Sequence, residues 1–391
     1  MSKHPKAKNT SARRRPGEVR DAIVKILTAR PEGASVSEIQ QAVSEMIGDS
    51  ASSSIRSYLR LNSESLFRRE NRGRYTLREA PGEEFKAATQ HRVSFKTVDS
   101  GHAKLVEADC FEWLRLQPLN SIHAVVTDPP YGLVEYEPEQ QEKLRQGKGG
   151  VWRIPPGFDG SKRSPLPRFT VLSAGDVEEL GHFFFRWGRV LYSVLVPGAN
   201  VVVASNPLLS YVVSGGLARA GLERRGEIVR LVMTMRGGDR PKAAHDEFSG
   251  VSVMPRSMWE PWVVFRKPIE GRVQDNLRKW KTGGFRRPSG ERPFGDVIPS
   301  SPTHKSERAL APHPSLKPQA FLRALVRGVL PLGEGIVLDP FAGSGSTLAA
   351  AEAVGYESIG VEKDPQYFDL AVRSIPKLVT LKNGGNYSLA L

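Results

Sequence analysis

The sequence predicts an α/β protein with a mostly parallel sheet of seven strands, preceded by a small N-terminal domain that is mainly helical. Beyond Ala103, short apolar runs alternate with stretches of helical periodicity, which is typical of a parallel sheet with helices on both faces. Residues 16–80 instead carry apolar residues at helical spacing, followed by a basic hairpin pattern. The length of 391 residues is enough for a large domain and an accessory module.

The composition limits the class of protein. Lys and Arg (56) outnumber Asp and Glu (42), so the net charge is +14. Such an excess favours a polyanionic partner, although solubility alone would also account for it. The single cysteine, Cys110, excludes an internal disulfide framework and a cysteine-based zinc cluster, and we predict no metal site. Without a long apolar stretch or a signal peptide, we expect a cytoplasmic protein that makes no membrane contact.

The N-terminal region predicts a disordered basic tail over residues 1–15 and a folded domain over residues 16–80. Three short helices are predicted, and Ser35 with Glu38 forms a capping box at the start of the second. The apolar positions of the three helices are Val19, Ile23, Ile26, Leu27, Ile39, Val43, Ile47, Ile55, Tyr58 and Leu59.

A hairpin is predicted around Asn71, Arg72 and Gly73, directly after the third helix. Three helices and a basic hairpin resemble a winged helix-turn-helix domain. The resemblance implies that the third helix, with Arg56 and Arg60 on its outer face, contacts DNA in the major groove. A protein-docking module is the alternative. Residues 81–99 are predicted to be a linker.

The strands and helices of the larger domain alternate along the chain. The predicted strands are Lys104–Glu107, His123–Thr127, Asn200–Ala204, Glu227–Met235, Trp262–Phe265, Gly335–Leu338 and Ser358–Val361. The predicted helices are Val177–Leu195, Leu208–Ala220, Gln319–Val329, Thr347–Val354 and Pro365–Ser374. Two insertions rich in Gly, Pro, Arg and Lys interrupt this pattern, at about 135–170 and 267–312.

The tetrapeptide Asp128-Pro129-Pro130-Tyr131 follows one predicted strand. It combines an acidic hydrogen-bond acceptor, two prolines that stiffen the backbone, and an aromatic ring. These groups together suit a planar ligand that carries an exocyclic NH2 group, such as a nucleobase.

A second informative segment runs from Asp339 through Phe341, Gly343 and Gly345 to Ser346 and Thr347. It predicts a strand, a glycine turn and a helix, with the backbone able to approach a ligand at the helix N-terminus. A further strand ends at Glu362, where dinucleotide-binding folds place the acid that holds ribose hydroxyls. Because Asp339 would repel a pyrophosphate, the turn favours a cationic cofactor such as S-adenosylmethionine.

Taken together, the two segments resemble those of the amino-methyltransferases that modify exocyclic nitrogens of DNA bases. The base-binding motif precedes the cofactor motif, which is the permuted order of the beta class of these enzymes. Two further elements match: His313-Pro314-Ser315-Leu316-Lys317-Pro318 ahead of the glycine turn, and Ala108-Asp109-Cys110 upstream of the base motif. The resemblance covers residues 100–378 and implies a permuted Rossmann-like methyltransferase fold.

The resemblance implies specific roles for these residues. Asp128, Pro129, Pro130 and Tyr131 would bind the target amine and its ring. The residues expected to bind S-adenosyl-L-methionine are Asp109, Lys317, Asp339, Phe341, Gly343, Gly345, Ser346, Thr347 and Glu362. The catalytic half would cover residues 100–266, the target-recognition region 267–311 and the cofactor half 312–391.

The expected partner is double-stranded DNA. Arg236 and Arg240 follow a predicted strand near the site, and the target-recognition region contributes Lys279, Lys281, Arg286 and Arg287 as DNA contacts. A basic surface loop without a binding role is the alternative. A homodimer and a separate cognate restriction enzyme are left open.

The favoured reaction is methylation of adenine N6, because Asp at the first motif position is commoner with adenine in the resembling family. Methylation of cytosine N4 is the alternative. Less favoured are an RNA or protein N-methyltransferase and a DNA-binding regulator without catalytic activity. Cys110 is interpreted as a packing residue and not as the nucleophile of a cytosine C5 enzyme.

Overall fold

The computed structural model describes residues 18–30, 32–48, 52–61, 67–70, 73–77, 94–130, 174–232, 241, 244, 246–313 and 315–381. The chain divides into two compact units, Met1–Gln90 and His91–Leu391. The division falls inside the predicted linker. Within the described ranges, each helix is too short or too polar to span a lipid bilayer.

The first unit contains three helices and a small antiparallel sheet. Its helices are α1 (Glu18–Thr28), α2 (Val36–Ile47) and α3 (Ser52–Leu61), and its strands are β1 (Ala34–Ser35), β2 (Phe67–Arg69) and β3 (Arg74–Leu77). Strand β3 lies between β1 and β2. The order of elements along the chain is the one that the sequence predicts, with the two-residue strand β1 in addition.

Local sequence explains this small unit. Ser35 caps α2 by accepting the Glu38 N–H, and the Glu38 carboxylate accepts the Ser35 N–H at 2.6 Å, which completes the capping box. Helix α3 buries Ile55 and Leu59 in the core of the unit. It leaves Arg56 and Arg60, one helical turn apart, exposed to solvent.

The second unit is built around one large sheet. Its strands are β4 (Lys96–Ser100), β5 (Ala103–Glu107), β6 (Ile122–Thr127), β7 (Leu195–Ala204), β8 (Glu223–Leu231), β9 (Trp259–Arg266), β10 (Val297–Pro299), β11 (Ile336–Asp339) and β12 (Glu357–Glu362). Its helices are α4 (Cys110–Arg115), α5 (Ala174–Val194), α6 (Ser210–Arg219), α7 (Val273–Trp280), α8 (Lys305–Leu310), α9 (Gln319–Val329), α10 (Ser346–Ala353) and α11 (Pro365–Val379).

In the described part of the chain the sheet has nine strands, in the order β10-β8-β9-β7-β6-β11-β12-β5-β4. The prediction of seven strands was therefore wrong. The two additional strands are β4, which pairs antiparallel with β5, and β10, which pairs with β8 over three residues. Both lie at sheet edges, where a strand needs no apolar run, so their sequences gave no strand pattern. Residues 96–99, predicted to be linker, belong to β4.

Seven of these strands run in the same direction, while β4 and β9 run the opposite way. The carboxyl ends of the seven parallel strands therefore lie at one edge of the sheet, which we call the active edge. Because β9 is antiparallel, its first residues reach the active edge as well. Ligands of open α/β sheets bind at this edge, next to the point where the strand order reverses.

Both faces of the sheet are covered by helices. Val125, Val201 and Val203 point to the face that packs against α4, α5 and α6, while Ala124 and Val202 point to the face packed against α9 and α10. This alternation is the two-residue period of β-strands. The central strands are thus held rigidly, which fixes the side chains that follow them at the active edge.

Candidate active site

Asp128 follows β6 directly at the active edge. Thr127 is fully buried, Asp128 is half-buried, Pro129 is buried and Pro130 is exposed. Strand β11 lies beside β6 and ends at Asp339, so the first residue of the proline motif and the glycine turn start from neighbouring strands. Tyr131 lies outside the described residues.

A chain of four alternating charges crosses the active edge. Lys317 Nζ contacts Asp128 Oδ2 and lies 3.3 Å from Glu260 Oε1. The other oxygen of Glu260 accepts from Arg230 Nη1 at 2.7 Å. The order Arg230, Glu260, Lys317, Asp128 alternates positive and negative charges, which sum to zero.

Burial and the neighbouring charges act on these groups in opposite directions. Burial disfavours the ammonium form of Lys317, but the Asp128 and Glu260 carboxylates outweigh it and raise the pKa of Lys317. Burial likewise disfavours the Glu260 carboxylate, but Lys317 and Arg230 prevail and lower the pKa of Glu260. Both groups are therefore charged at neutral pH, and each depends on the other.

The glycine turn after β11 is stabilised by Asp339, the last residue of that strand. Asp339 is 3% exposed, and its Oδ1 accepts from the Thr127 hydroxyl at 2.7 Å and from the Phe341 N–H at 3.2 Å. Its carboxylate also interacts with the buried Thr347 hydroxyl. Burial, the largest effect, raises the pKa of Asp339 to about 6.

Two glycines give the turn its shape. Gly343 and Gly345 have φ angles of 52° and 77°, which residues with a Cβ rarely adopt. A Cβ on Gly345 would lie 2.5 Å from Ile375, and one on Gly343 would lie 3.1 Å from the His313 ring. His313 belongs to the same motif as Lys317, so this motif lies against the turn.

Glu362 and Asp109 follow the neighbouring strands β12 and β5. Glu362 accepts the Gly343 N–H at 2.7 Å and the Asp364 N–H at 2.8 Å. Asp109 caps α4 through the Phe111 N–H at 2.9 Å, and its other oxygen accepts from Lys363 at 3.0 Å. Each carboxylate oxygen can accept a second hydrogen bond, so both acids keep capacity for ligand hydroxyl or amino groups.

The remaining predicted cofactor residues also lie at this turn. Ser346 and Thr347 begin α10, and the Ser346 carbonyl accepts from the Gln319 side chain at 2.9 Å. The Phe341 ring packs on Trp187 and Phe183, at centroid distances of 5.6 and 6.2 Å. The structure therefore brings all nine predicted cofactor residues to the active edge.

The turn fits an adenosine cofactor with a positive charge. Its positive-φ glycines allow a tight turn at the start of α10, and three acids lie at the ends of β11 and of the next two strands of the sheet, β12 and β5. Acids at such positions suit hydroxyl and ammonium groups and oppose a pyrophosphate.

The predicted DNA-contacting residues have different surroundings. Lys279 pairs with Glu270 at 2.8 Å, and Lys281 ends α7 with a left-handed backbone, φ 62°. Arg286 donates to the Tyr356 hydroxyl at 2.7 Å and is half-buried, whereas Arg287 is exposed. Arg236 and Arg240 lie outside the described residues.

Residues 267–311, the predicted target-recognition region, are more integrated into the fold than a surface loop would be. They contain α7, β10 and α8, and β10 extends the large sheet. Phe285 and Phe294 stack at 5.1 Å and pack against the core.

Glu260 and Arg230 were missed by the sequence analysis. Glu260 is a lone acid in the strand Trp259–Arg266, whose interior is otherwise apolar, and such an acid needs a buried cation. That isolation is a signal, but only the topology shows that the cations are Arg230 and Lys317.

The glycine turn suits a cofactor, and Asp128 beside it can accept hydrogen bonds from an amine. Together they define a group-transfer site on a Rossmann-like sheet. The chain matches the DNA methylase family of N6/N4 methyltransferases over residues 122–373, well over half its length, and belongs to that family. Members of this family act on DNA and use S-adenosyl-L-methionine, which is therefore the cofactor of this chain.

The chain is also similar to individual methyltransferases. The chain is 25% identical to the Type II methyltransferase M.HindIII of Haemophilus influenzae over 284 residues, which is 66% of this chain and 89% of that protein. It is also 25% identical to the Type II methyltransferase M2.LlaDCHI of Lactococcus lactis subsp. cremoris, over 71% of this chain and 91% of that one.

Two solved structures cover a similar share of the chain. One is described as a DNA modification methylase from Thermus thermophilus complexed with S-adenosyl-L-methionine; it has 21% identity and a TM-score of 0.44, over 71% of this chain and 96% of that one. The other is the cytosine-N4-specific PvuII DNA methyltransferase; it has 14% identity and a TM-score of 0.46, over 76% and 93%.

Proposed function

We propose that this chain methylates the N6 amine of adenine in double-stranded DNA. The observation that carries the proposal is the position of Asp128. It follows β6 at the active edge, beside the strand whose glycine turn forms the cofactor cradle. The acceptor for an amine and the cradle for the methyl donor thus start from neighbouring strands.

The chemistry of an aromatic amine explains why these residues are needed. The exocyclic nitrogen is a weak nucleophile because its lone pair is delocalised into the ring. Asp128 and the Pro129 carbonyl accept hydrogen bonds from its two N–H groups. They stabilise the positive charge that grows on the nitrogen as it attacks the methyl group. S-adenosyl-L-methionine supplies the methyl group on its sulfonium sulfur. The nitrogen would accept that methyl group and then release one proton to solvent.

The base must leave the duplex before it reaches this site. A pocket formed at the end of a strand cannot admit a base that is still stacked, so the target nucleotide is flipped out. Tyr131 then stacks on the extruded ring. Alignment of nitrogen, methyl carbon and sulfur supplies a further part of the rate enhancement.

We favour adenine over cytosine as the target because the proline motif begins with Asp, which is commoner with adenine in the resembling family. Cytosine N4 methylation is the alternative, since cytosine also presents an amine beside a ring nitrogen. Because its relatives are Type II methyltransferases, we place the chain in restriction-modification.

DNA contacts are proposed on both units. In the first unit, the exposed pair Arg56 and Arg60 on α3 supports a winged helix-turn-helix that enters the major groove. In the second, Arg287 is exposed and available to phosphate. Arg236 and Arg240 remain proposed contacts of the DNA backbone.

The proposal is tested by expressing the chain in a bacterial host that lacks adenine methylation. Genomic DNA sequenced by a method that detects modified bases should then contain N6-methyladenine within one recurring sequence. N4-methylcytosine would establish the alternative. Unmodified DNA, with folded protein present in the cells, would refute both.

Replacing Asp128 by alanine should abolish methylation, because the amine loses its charged acceptor. A loss of at least about 100-fold in the single-turnover rate is expected from the removal of one preorganised electrostatic partner. Cofactor affinity measured by calorimetry should change little. Retained methylation in the Asp128→Ala variant would contradict the assigned role.

A further inference from the structure

Glu260 reaches the active edge because β9 is antiparallel to its neighbours. It is the second residue of β9, and its register partner on β8 is Arg230 near the end of that strand. Glu260 is 7% exposed and Arg230 6%. Strands β8 and β9 therefore deliver one carboxylate and one guanidinium to the edge where Asp128 lies.

Arg230 fixes Glu260 from behind. Its guanidinium donates to Glu260 at 2.7 Å, to the Ser300 hydroxyl at 3.0 Å and to the Ser301 carbonyl at 3.0 Å. It also lies over the Phe321 ring, 5.3 Å from the centroid. A guanidinium bound on every side leaves its carboxylate partner little freedom.

Lys317 is held from two sides. Its long side chain has several rotatable bonds, and a single contact with Asp128 would leave the ammonium free to shift. The second carboxylate, Glu260, limits that movement, and the Ser315 carbonyl, 3.4 Å from Nζ, adds a weaker contact.

We propose that Glu260 is a positioning residue for methyl transfer, which anchors Lys317 so that its ammonium fixes the Asp128 carboxylate in the orientation that receives the base amine. The inference rests on the proposed function of Asp128. In this role Glu260 acts through Lys317, which it contacts at 3.3 Å, and not through the base or the cofactor directly.

The competing explanation is that the Arg230–Glu260 pair only stabilises the fold. Removing one member of a buried pair leaves an uncompensated charge, so Glu260→Gln would lower both stability and activity on either explanation. A variant with balanced charges separates them. Arg230→Met combined with Glu260→Gln leaves Lys317 and Asp128 as a neutral pair, yet Lys317 still lacks its second anchor.

The experiment measures single-turnover methylation of duplex DNA, cofactor affinity and thermal unfolding for the wild type and three variants. Glu260→Gln and the double variant should each lose about 10- to 100-fold in rate, as expected for a misplaced reacting group. The double variant should recover thermal stability. Cofactor affinity should fall by less than the rate in both, because Lys317 is only one of nine predicted cofactor residues.

Glu223→Gln is the matched control. Glu223 pairs with Arg266 across the same two strands, at 2.7 Å, but at the opposite end of the sheet. Its loss should leave the methylation rate unchanged.

The pH dependence supplies a second readout. The charged groups that act on the pKa of Lys317 are Asp128, Glu260 and Arg230. Lys317 in turn acts to lower the pKa of His313, and Arg230 acts to lower that of Glu307. Loss of Glu260 removes one of the two anions that raise the pKa of Lys317. The alkaline limb of the rate profile should therefore move to lower pH in Glu260→Gln.

Recovery of the wild-type rate in the stable double variant would overturn the proposal, as would an unchanged rate in Glu260→Gln. If both fail to fold, Glu260→Asp decides: it keeps the charge but withdraws the carboxylate, and an undiminished rate would again overturn the proposal. Absence of methylation by the wild type would refute the proposed function instead.

Discussion

At the scale of single residues, Asp339 combines two roles that oppose each other. Its carboxylate shapes the glycine turn by accepting from Thr127 and Phe341, which requires burial. The same burial raises the pKa of Asp339 to about 6, so its negative charge is unfavourable without a ligand. A cationic cofactor would relieve that penalty, which couples the stability of the turn to cofactor binding.

Asp339→Asn should therefore stabilise the free protein and weaken cofactor binding. The folded-state pKa lies above the ordinary value of 3.8, so the folded protein binds more protons, and its stability falls as pH rises from about 4 to about 6. The shift of about two units corresponds to a penalty on the order of 3 kcal/mol above pH 6. Asn keeps the hydrogen bonds without the charge.

Denaturant unfolding of both proteins between pH 4.5 and pH 8, roughly the window of this shift, would measure the difference. The gap in unfolding free energy between the variant and the wild type should widen as pH rises. A gap that does not change with pH would show that Asp339 is not the group that titrates. Calorimetry should show lower cofactor affinity in the variant at neutral pH.

At the scale of elements, the glycine turn between β11 and α10 is restricted by its backbone. Gly345→Ala should destabilise the protein by about 1–2 kcal/mol from the left-handed backbone alone, with a further contribution from the clash with Ile375. Gly355→Ala is the control, because it has a similar φ of 78° with open space around its Cβ. Thermal unfolding should show a larger loss for Gly345→Ala, together with weaker cofactor binding. Equal losses would mean that the packing against Ile375 is unimportant.

The sequence predicted these elements unequally. All seven strands with apolar runs were found, because burial on both faces requires such runs. The edge strands β4 and β10 were not, since pairing on one side suffices for them. Asp128 and Lys317 were each placed at the site from motifs, but their contact, between residues 189 positions apart, depends on the topology. Placing Glu260 at the site would have required the knowledge that β9 is antiparallel, and no local sequence pattern shows this.

At the scale of the whole molecule, the site is assembled from distant parts of the chain. Asp128 and Glu260 precede residues 267–311, the predicted target-recognition region, whereas Lys317 and the glycine turn follow them. The buried ion chain therefore joins the half of the second unit before residue 267 to the half after residue 311, through Lys317. A displacement of one half relative to the other would separate Lys317 from both of its carboxylates, so the integrity of the sheet and the geometry of the site are linked.

The division into two units predicts that cofactor binding and DNA affinity can be separated. Arg56→Ala with Arg60→Ala should leave cofactor affinity unchanged, since both residues belong to the first unit. If α3 contacts phosphates as well as bases, DNA binding should weaken, and the slope of log K against log salt should become less steep by about 2 units, one for each lost cation. The control, Lys25→Ala with Arg30→Ala, removes the same charge from α1 and the residues after it.

Fluorescence anisotropy with a labelled duplex, titrated at several salt concentrations, distinguishes the two roles of the first unit. A fragment comprising His91–Leu391 should bind cofactor like the full chain and bind DNA no more tightly than the α3 variant. If that unit is a protein-docking module, neither the variant nor the fragment should differ from the full chain in DNA affinity. A loss in the α3 variant matched by an equal loss in the α1 control would instead indicate general attraction by positive charge, without docking of α3 in the groove.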